Sequence, residues 1–137
     1  AQLAERLSRF AAGSGKCLPI FVECNVTGEA SKNGLPADRF ADDRTQAEAL
    51  TGEIEKMLAL PGVRLRGLMA MAPVGDAPEE ARPVFRQLRR LRDFLAARLP
   101  HADWPELSMG MTDDFEVAIE EGATAVRVGR AIFGERR

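Results

Sequence analysis

The sequence lacks the features that mark membrane, nucleic-acid and metal-binding proteins. No apolar run is long enough to cross a bilayer, and a net charge of −2 gives no electrostatic reason to expect nucleic acid. The only histidine, His101, has no nucleophile or metal-ligand pattern around it and is expected to be exposed. We therefore expect no membrane, nucleic-acid or metal partner.

Cysteine is scarce as well, since the chain has only Cys17 and Cys24. They are seven residues apart in one predicted strand, so their side chains are expected to point to opposite faces and not to bridge each other. Both are interpreted as reduced thiols of the core, which predicts a cytoplasmic protein. The chain of 137 residues can bury one core, but it is about half as long as a barrel of roughly 250 residues.

Helical and β-rich segments alternate along the chain. Strands are predicted at residues 16–26, 65–71, 107–109 and 125–128, with a polar loop at 27–43 after the first strand. Because there is no internal linker or clear repeat, we interpret residues 1–137 as one α/β domain with a parallel sheet. Apolar residues at helical spacing predict three helices, marked in chain order by Leu3, Leu7 and Phe10, by Leu50, Ile54, Met57 and Leu58, and by Val84, Leu88, Leu91 and Leu95.

Two of the predicted helices are marked by charged or polar residues. The third is basic, with six arginines against three acidic residues between Glu79 and Leu99, and we interpret this as an ordinary solvated face. A fourth helix is predicted after residue 111. Thr112 or Asp113 could cap it, Asp113 could form a capping box with Glu116, and Gly122 suits the position after its end.

The segment 107–134 carries the clearest functional signal. It predicts a strand with Ser108 and Gly110 at its end, a helix, a strand with Arg127 and Gly129 at its end, and a short helical turn. A hydroxyl, backbone N–H groups beside glycines and the positive ends of helices together suit a phosphate or another anion. A (β/α) barrel builds its phosphate site in this way after its last two strands, although each residue alone is also common in a structural role.

Arg127 alternates with Val126 and Val128, so it is expected to point into the barrel mouth, where a charge needs an anion or an acceptor. Glu23 is one candidate partner for it. Asn25 ends its strand on the same inward face as Glu23, and it could either line the pocket or stabilise the following loop. Met69 is a further candidate for the pocket lining, although both Met69 and Met71 are more typical of the core.

Four parallel strands do not close a barrel, because the first and last strands each leave an unpaired edge. Another copy of the chain or a missing N-terminal half should cover these edges. Because the pattern opens on a helix with no strand before it, we expect the chain to be the C-terminal half of a (β/α)8 barrel.

Four motifs occur in order along the chain: C-N-V-T-G-E-A-S-K-N-G-L at 24–35, R-G-L-M-A-M-A-P at 66–73, L-S-M-G-M-T-D-D-F at 107–115 and V-R-V-G-R-A-I-F-G at 126–134. Together they resemble the pyridoxal phosphate homeostasis proteins, which are barrels similar to the N-terminal domain of alanine racemase. The resemblance implies a protein that binds pyridoxal 5′-phosphate (PLP), helps to control the supply of that cofactor, and has no established catalytic turnover.

The resemblance also implies roles for individual residues. It places the cofactor phosphate against Ser108, Gly110, Gly129 and the backbone of Arg130, and it places Arg127 beside the pyridine nitrogen. A guanidinium stays charged and cannot accept a hydrogen bond, so it would keep that nitrogen unprotonated. An unprotonated ring is a poor electron sink, which suits a carrier better than a catalyst.

The resemblance leaves one gap, because PLP proteins of this fold bind the aldehyde through a lysine on the first barrel strand, and that segment is absent. Lys16 and Lys56 are expected away from the pocket rim, whereas Lys32 lies in a loop on the correct rim but is more typical of a solvated residue. The chain alone is therefore expected to bind PLP weakly or not at all. A fragment of a racemase-like PLP enzyme, and a phosphate-binding barrel enzyme, remain as alternatives, although the chain contains no tyrosine for racemase catalysis.

Overall fold

The computed structural model describes residues 1–134, and the predicted alternation of helices and strands is confirmed in it. None of the described helices is long and apolar enough to cross a membrane. The strands are β1 (Leu18–Asn25), β2 (Leu35–Pro36), β3 (Val63–Met69), β4 (Glu106–Met111) and β5 (Ala125–Arg127). The helices are α1 (Gln2–Gly13), α2 (Arg44–Leu58), α3 (Arg82–Arg98), which a 3-10 turn (Pro78–Ala81) precedes, α4 (Phe115–Glu120) and α5 (Arg130–Phe133).

The strands form one parallel sheet in the order β2-β1-β3-β4-β5, which confirms the predicted parallel α/β class. The expectation of an unbroken loop at 27–43 was wrong, because Leu35 and Pro36 pair with Cys24 and Asn25 of β1 as the short strand β2. The loop turns back beside its own strand, and the backbone of Ala37 adds a bond from its N–H to the carbonyl of Asn25 at 2.9 Å. The described sheet therefore has five strands instead of four.

The strands β1, β3, β4 and β5 are neighbours in chain order, so every connection between them runs in the same direction across the sheet. Right-handed crossovers then place α2, α3 and α4 on one face of the sheet. The strand residues on that face are buried, and they include Val22, Cys24, Leu65, Leu107 and Met109. On the opposite face Phe21 is 37% exposed.

Helix α1 packs through a different face from the one that its large apolar residues predicted. Leu3 and Phe10 are 69% and 77% exposed, whereas Ala4, Ser8 and Ala11 are buried. The reason is a close approach to Gly62, whose N–H donates to Ser8 Oγ at 2.9 Å. A Cβ at Gly62 would stand 2.1 Å from the Ser8 carbonyl oxygen, so only small side chains fit between this helix and the sheet.

The two cysteines differ in their surroundings, so the expectation that both belong to the core was wrong for one of them. Cys17 is exposed, because β1 begins one residue later at Leu18 and leaves Cys17 in the preceding loop. Cys24 is buried between β1 and the helices. Burial, assisted by the negative charge of Glu23, raises the pKa of the Cys24 thiol to about 12. Cys24 is therefore an unreactive neutral thiol at neutral pH.

The start of α4 also differs from the prediction. Its N-cap is Asp114, and neither Thr112 nor Asp113 caps the helix. The Asp114 carboxylate accepts a hydrogen bond from the backbone N–H of Met111 at 2.6 Å, which closes a tight turn after β4 and replaces the predicted capping box of Asp113 and Glu116. The end of the helix is as predicted, because Gly122 has a φ of +96° and follows its C-cap.

The basic face of α3 is not simply solvated. Glu121, at the end of α4, is only 4% exposed, and one of its carboxylate oxygens accepts hydrogen bonds from Arg82 at 3.1 Å and from Arg86 at 3.0 Å. Arg89 adds an ion pair at 3.1 Å. The hydrogen bond from Arg86, followed by that from Arg82, holds the pKa of the Glu121 carboxyl below its usual range against the opposing effect of burial. This cluster ties α3 to α4.

Glu121→Gln is expected to lower the free energy of unfolding at pH 7 by about 2 kcal/mol, because it leaves three arginines around an uncharged group. A carboxyl with a lowered pKa stabilises the fold above its unfolded pKa, and that contribution is lost as the pH falls through its folded pKa. The difference between the variant and the wild type should therefore shrink below about pH 4. Urea unfolding at pH 7 and pH 3.5 measures it, with Glu120→Gln as the exposed neighbouring control. Equal effects of both substitutions would contradict the prediction.

Candidate functional site

The carboxyl ends of β3, β4 and β5 meet at the side chain of Arg127. One terminal nitrogen of its guanidinium donates to the Ser108 carbonyl oxygen at 3.0 Å and to Ser108 Oγ at 2.8 Å. The other donates to the carbonyl oxygen of Ala70, just after β3, at 3.1 Å. Arg127 thus links β5 to β4 and to the residue that follows β3.

The charge of Arg127 is not neutralised by these contacts. All three acceptors are uncharged, and within residues 1–134 the guanidinium forms no ion pair. Glu23, which the alternation pattern offered as a partner, does not pair with it. A guanidinium carries five N–H donors, so at least two remain for another acceptor. A half-buried cation with unused donors can bind an anion or an electron-rich atom.

Ser108 lies deeper in the sheet than its sequence position suggested. It is 6% exposed and is paired with Ala125, whereas Arg127 is paired with Met111. Because β4 continues to Met111, the strand end carries Thr112 and not Ser108 at the rim. Thr112 is half-buried there. Its hydroxyl is a donor that the sequence analysis considered only as a helix cap, although its place directly after the strand was a usable signal.

The two glycines differ in what surrounds them. Gly110 has a φ of +94°, and a Cβ added to it would stand 2.6 Å from the Cβ of Ala118 and 3.1 Å from the Cα of Phe115. Gly110 therefore lets α4 pack against the end of β4. Gly129 is exposed, and a Cβ added to it would meet no atom within 4 Å. The space at Gly129 is open to a bound group.

Arg130 follows Gly129, and its side chain crosses to the β4–α4 loop, where it pairs with Asp113. Both side chains are more than half exposed. Beside this pair lies a pocket of about 250 Å³, lined by residues 73–78, Ala81, Met111, Asp113 and Asp114. The pair links the two loops that follow β4 and β5.

The remaining candidates surround the end of β1. The side chain of Asn25 stabilises its loop: Oδ1 accepts from the N–H groups of Thr27 at 3.2 Å and Gly28 at 3.0 Å, and Nδ2 donates to the Glu29 carbonyl at 2.9 Å. Lys32 lies on the same rim, where Nζ donates to the carbonyl oxygen of Ala72 at 3.3 Å. The contact of Lys32 joins the β1–α2 and β3–α3 loops, whereas the contacts of Asn25 lie within the β1–α2 loop.

The sequence analysis favoured core positions for Met69 and Met71. This was wrong, because neither side chain is fully buried in the core. Met71 is 38% exposed and Met69 is half-buried. Met69 lines an open groove with Phe21, Glu23 and Leu35. Because β3 pairs Met69 with Glu23, the side chains of Met69 and Met71 lie on the same face of the sheet as Glu23, opposite the helices. Met69 therefore remains available to a ligand on this face.

The site offers donors and positive charge without an obvious acid and base pair. Among the residues that the structure describes, no cluster of His, Cys, Asp and Glu could hold a metal ion. Arg127, the Thr112 hydroxyl and the open backbone at Gly129 are suited to hydrogen-bond an anionic ligand with an aromatic nitrogen or oxygen acceptor. The arrangement supports binding more directly than it supports catalysis.

The comparisons with known proteins identify a family model and several relatives of similar sequence and fold. The sequence model described as "Alanine racemase, N-terminal domain" matches residues 1–137. A pyridoxal phosphate homeostasis protein of Aquifex aeolicus is 43% identical over 135 residues, covering 98% of this chain and 54% of that protein. The structure of PipY from Synechococcus elongatus with PLP bound is 34% identical, with a TM-score of 0.78, and the match covers 97% of this chain and 57% of PipY.

The same fold extends to a more distant protein. Alanine racemase of Clostridium difficile matches with a TM-score of 0.64 at 13% identity, over 98% of this chain and 34% of the racemase, which shows a shared fold alone. The chain spans about half the length of the curated relatives that it matches. The resemblance that the four sequence motifs indicated is confirmed by these matches.

Proposed function

This chain belongs to the alanine racemase N-terminal domain family, and we propose that it binds PLP at the carboxyl ends of β3, β4 and β5 and serves the homeostasis of that cofactor without catalysing a reaction. The observation that carries the proposal is the uncompensated guanidinium of Arg127. PLP combines a phosphate with a ring nitrogen that accepts hydrogen bonds. Relatives named for PLP homeostasis, and PipY with PLP bound, support the choice of ligand.

The residues fit the two ends of this ligand. Gly129 and the backbone of Arg130 are placed to receive the phosphate in the open space after β5, beside the end of β4 at Gly110. Arg127, which is hydrogen-bonded to Ser108, would donate to the ring nitrogen. Asn25 and Met69 form the wall on the β1 and β3 side.

The same arrangement argues for a carrier. When bound, PLP supplies a ring that can withdraw electrons from an attached amino acid, and it does so best with a protonated ring nitrogen. Arg127 keeps its own protons and cannot accept one, so it holds that nitrogen unprotonated. The protein thereby binds the ligand and restrains its reactivity. Cys17 and Cys24 are both free thiols, which fits a cytoplasmic location, and we propose that location as well.

We also propose that the sheet is one part of a (β/α) barrel, in which residues 1–137 form a single unit equivalent to the C-terminal half. The support is the unidirectional strand order together with a helix-free face. Within residues 1–134, β1 is paired on its outer edge only at Cys24 and Asn25, and Leu18 and Phe21 are each 37% exposed. A further barrel segment, or a second copy of the chain, should cover this edge.

Light scattering coupled to size-exclusion chromatography tests how the edge is covered. The 137-residue chain is expected to self-associate, because the exposed residues Leu3 and Phe21 line one groove at its open edge. Phe21→Lys should shift the chain towards the monomer, since it places a charge at the unpaired edge. Ile132→Lys, an exposed apolar residue on α5, serves as the matched control. A wild-type chain that stays monomeric at about 100 μM would contradict self-association.

Titrations followed by ¹H–¹⁵N NMR test the proposed function. Pyridoxine 5′-phosphate is the main probe, because it keeps the ring and phosphate of PLP but has no aldehyde to react with exposed lysines. We expect a dissociation constant of about 0.1–1 mM, with shifts centred on Arg127, Gly129 and Arg130. Inorganic phosphate should shift Gly129 and Arg130 but not Arg127. No saturable shift at these residues, or shifts spread over the surface, would overturn the proposal.

A further inference from the structure

We propose that Ser108 is a positioning residue for Arg127, and that it acts on the ring end of the ligand instead of contacting the phosphate. The inference rests on the proposed function, because it assigns a part of that site. It goes against the sequence-based placement of the Ser108 hydroxyl at the phosphate. It assigns Ser108 a part in specificity: as a buried neutral acceptor, its hydroxyl orients the guanidinium of Arg127 without neutralising the charge.

The position of Ser108 supports this role. Its Oγ lies 2.8 Å from a guanidinium nitrogen of Arg127, and its carbonyl oxygen lies 3.0 Å from the same nitrogen. The side chain is on the helix-free face, because the flanking Leu107 and Met109 are fully buried against the helices. Ser108 stands three residues before the end of β4. Arg127 therefore lies between Ser108 and the rim where a phosphate would be held.

The chemistry of the acceptors explains why a serine suits this position. A guanidinium fork needs fixed acceptors to hold one orientation, and Ser108 and Ala70 supply them from two neighbouring strands. An aspartate at position 108 would also fix the fork, but it would neutralise the charge that attracts the ligand. The hydroxyl keeps the guanidinium both oriented and fully cationic.

The experiment compares two probes in wild type and in Ser108→Ala. The probes are pyridoxine 5′-phosphate, which presents ring and phosphate, and inorganic phosphate, which presents the phosphate alone. We expect Ser108→Ala to weaken pyridoxine 5′-phosphate about tenfold, the effect of losing a hydrogen bond to a charged group, and to change inorganic phosphate less than about twofold. Ser108→Thr, which keeps the hydroxyl, should restore most of the lost affinity. Ser108→Cys, a weaker acceptor, should not.

A second readout does not depend on any ligand. The side-chain Nη–H signals of Arg127, which come from the nitrogens that bond Ser108 and Ala70, should be resolved and slow to exchange in the wild type and in Ser108→Thr, and averaged and broadened in Ser108→Ala. Equal weakening of both probes would mean that Ser108 touches the phosphate, and unchanged binding of both would make it merely structural; either result overturns the inference. If the wild type binds neither probe, the proposed function fails. An Arg127 signal that Ser108→Ala leaves unchanged would then overturn the positioning role as well, and a broadened one would support it.

Discussion

Arg127→Met is expected to lower the affinity of the chain for pyridoxine 5′-phosphate by about a hundredfold, which puts binding beyond the range of an NMR titration. The substitution removes both the positive charge of the site and the donors that are not used by Ser108 and Ala70. Hydrogen bonds from a charged group are each worth about 1.5–3 kcal/mol, so losing one or two accounts for this factor. Methionine keeps most of the apolar stem, which limits the loss of packing.

Two control variants make this result specific. Arg127→Lys keeps the charge but not the planar fork, so it should retain phosphate binding and lose about tenfold for the ring-containing probe. Arg90→Met removes an exposed arginine of α3, and it should leave both affinities unchanged. A near wild-type affinity in Arg127→Met would show that the ligand does not reach this guanidinium, and the proposed site would then be wrong.

Gly110→Ala is expected to cost about 3 kcal/mol of folding free energy. The left-handed backbone at Gly110, with its φ of +94°, disfavours any side chain by about 1–2 kcal/mol. The added methyl would also stand 2.6 Å from the Cβ of Ala118, and overpacking of this kind costs about 1–3 kcal/mol. Helix α4 would have to move away from β4 and carry the Thr112 rim with it.

Urea unfolding followed by circular dichroism measures the effect of Gly110→Ala. Gly129→Ala is the matched control, because φ at Gly129 is −112° and the added methyl meets no atom within 4 Å. Its unfolding free energy should stay within about 0.5 kcal/mol of the wild type, while phosphate binding weakens through crowding of the open space. Equal stabilities of the two variants would show that α4 does not constrain Gly110.

The sequence predicted most of the fold because its strands are short apolar runs and its later helices have regular apolar stripes. Leu88, Leu91 and Leu95 all became core residues. The prediction failed for α1. The spacing of Leu3 and Phe10 indicated the buried face of this helix, but alanine and serine residues form that face. A close approach to Gly62 depends on the tertiary structure, so no local pattern could show that small residues form the packed face.

The candidate site was predicted in part. Arg127 and the need of its charge for acceptors followed from strand alternation, but the acceptors themselves come from Ser108 and Ala70 on other strands. The register of the strands determines that Arg127 contacts these two residues and not Glu23. Likewise, the sequence left two interpretations of the role of Asn25 open, and only the three-dimensional structure of the loop shows its hydrogen bonds to Thr27 and Gly28. Local chemistry identifies candidate residues, whereas the register of parallel strands decides which of them meet.

The shortness of β5 is expected to couple ligand binding to the opening of the sheet. Within residues 1–134, β5 has three residues and two ladder pairs with β4, separated by an irregularity, and the bonds that Arg127 makes to Ser108 and Ala70 add to its attachment. Transient detachment of this strand would withdraw the same guanidinium that the ligand requires. A ligand bound at Arg127 is therefore expected to slow amide exchange in β5 and to leave exchange in β1 unchanged.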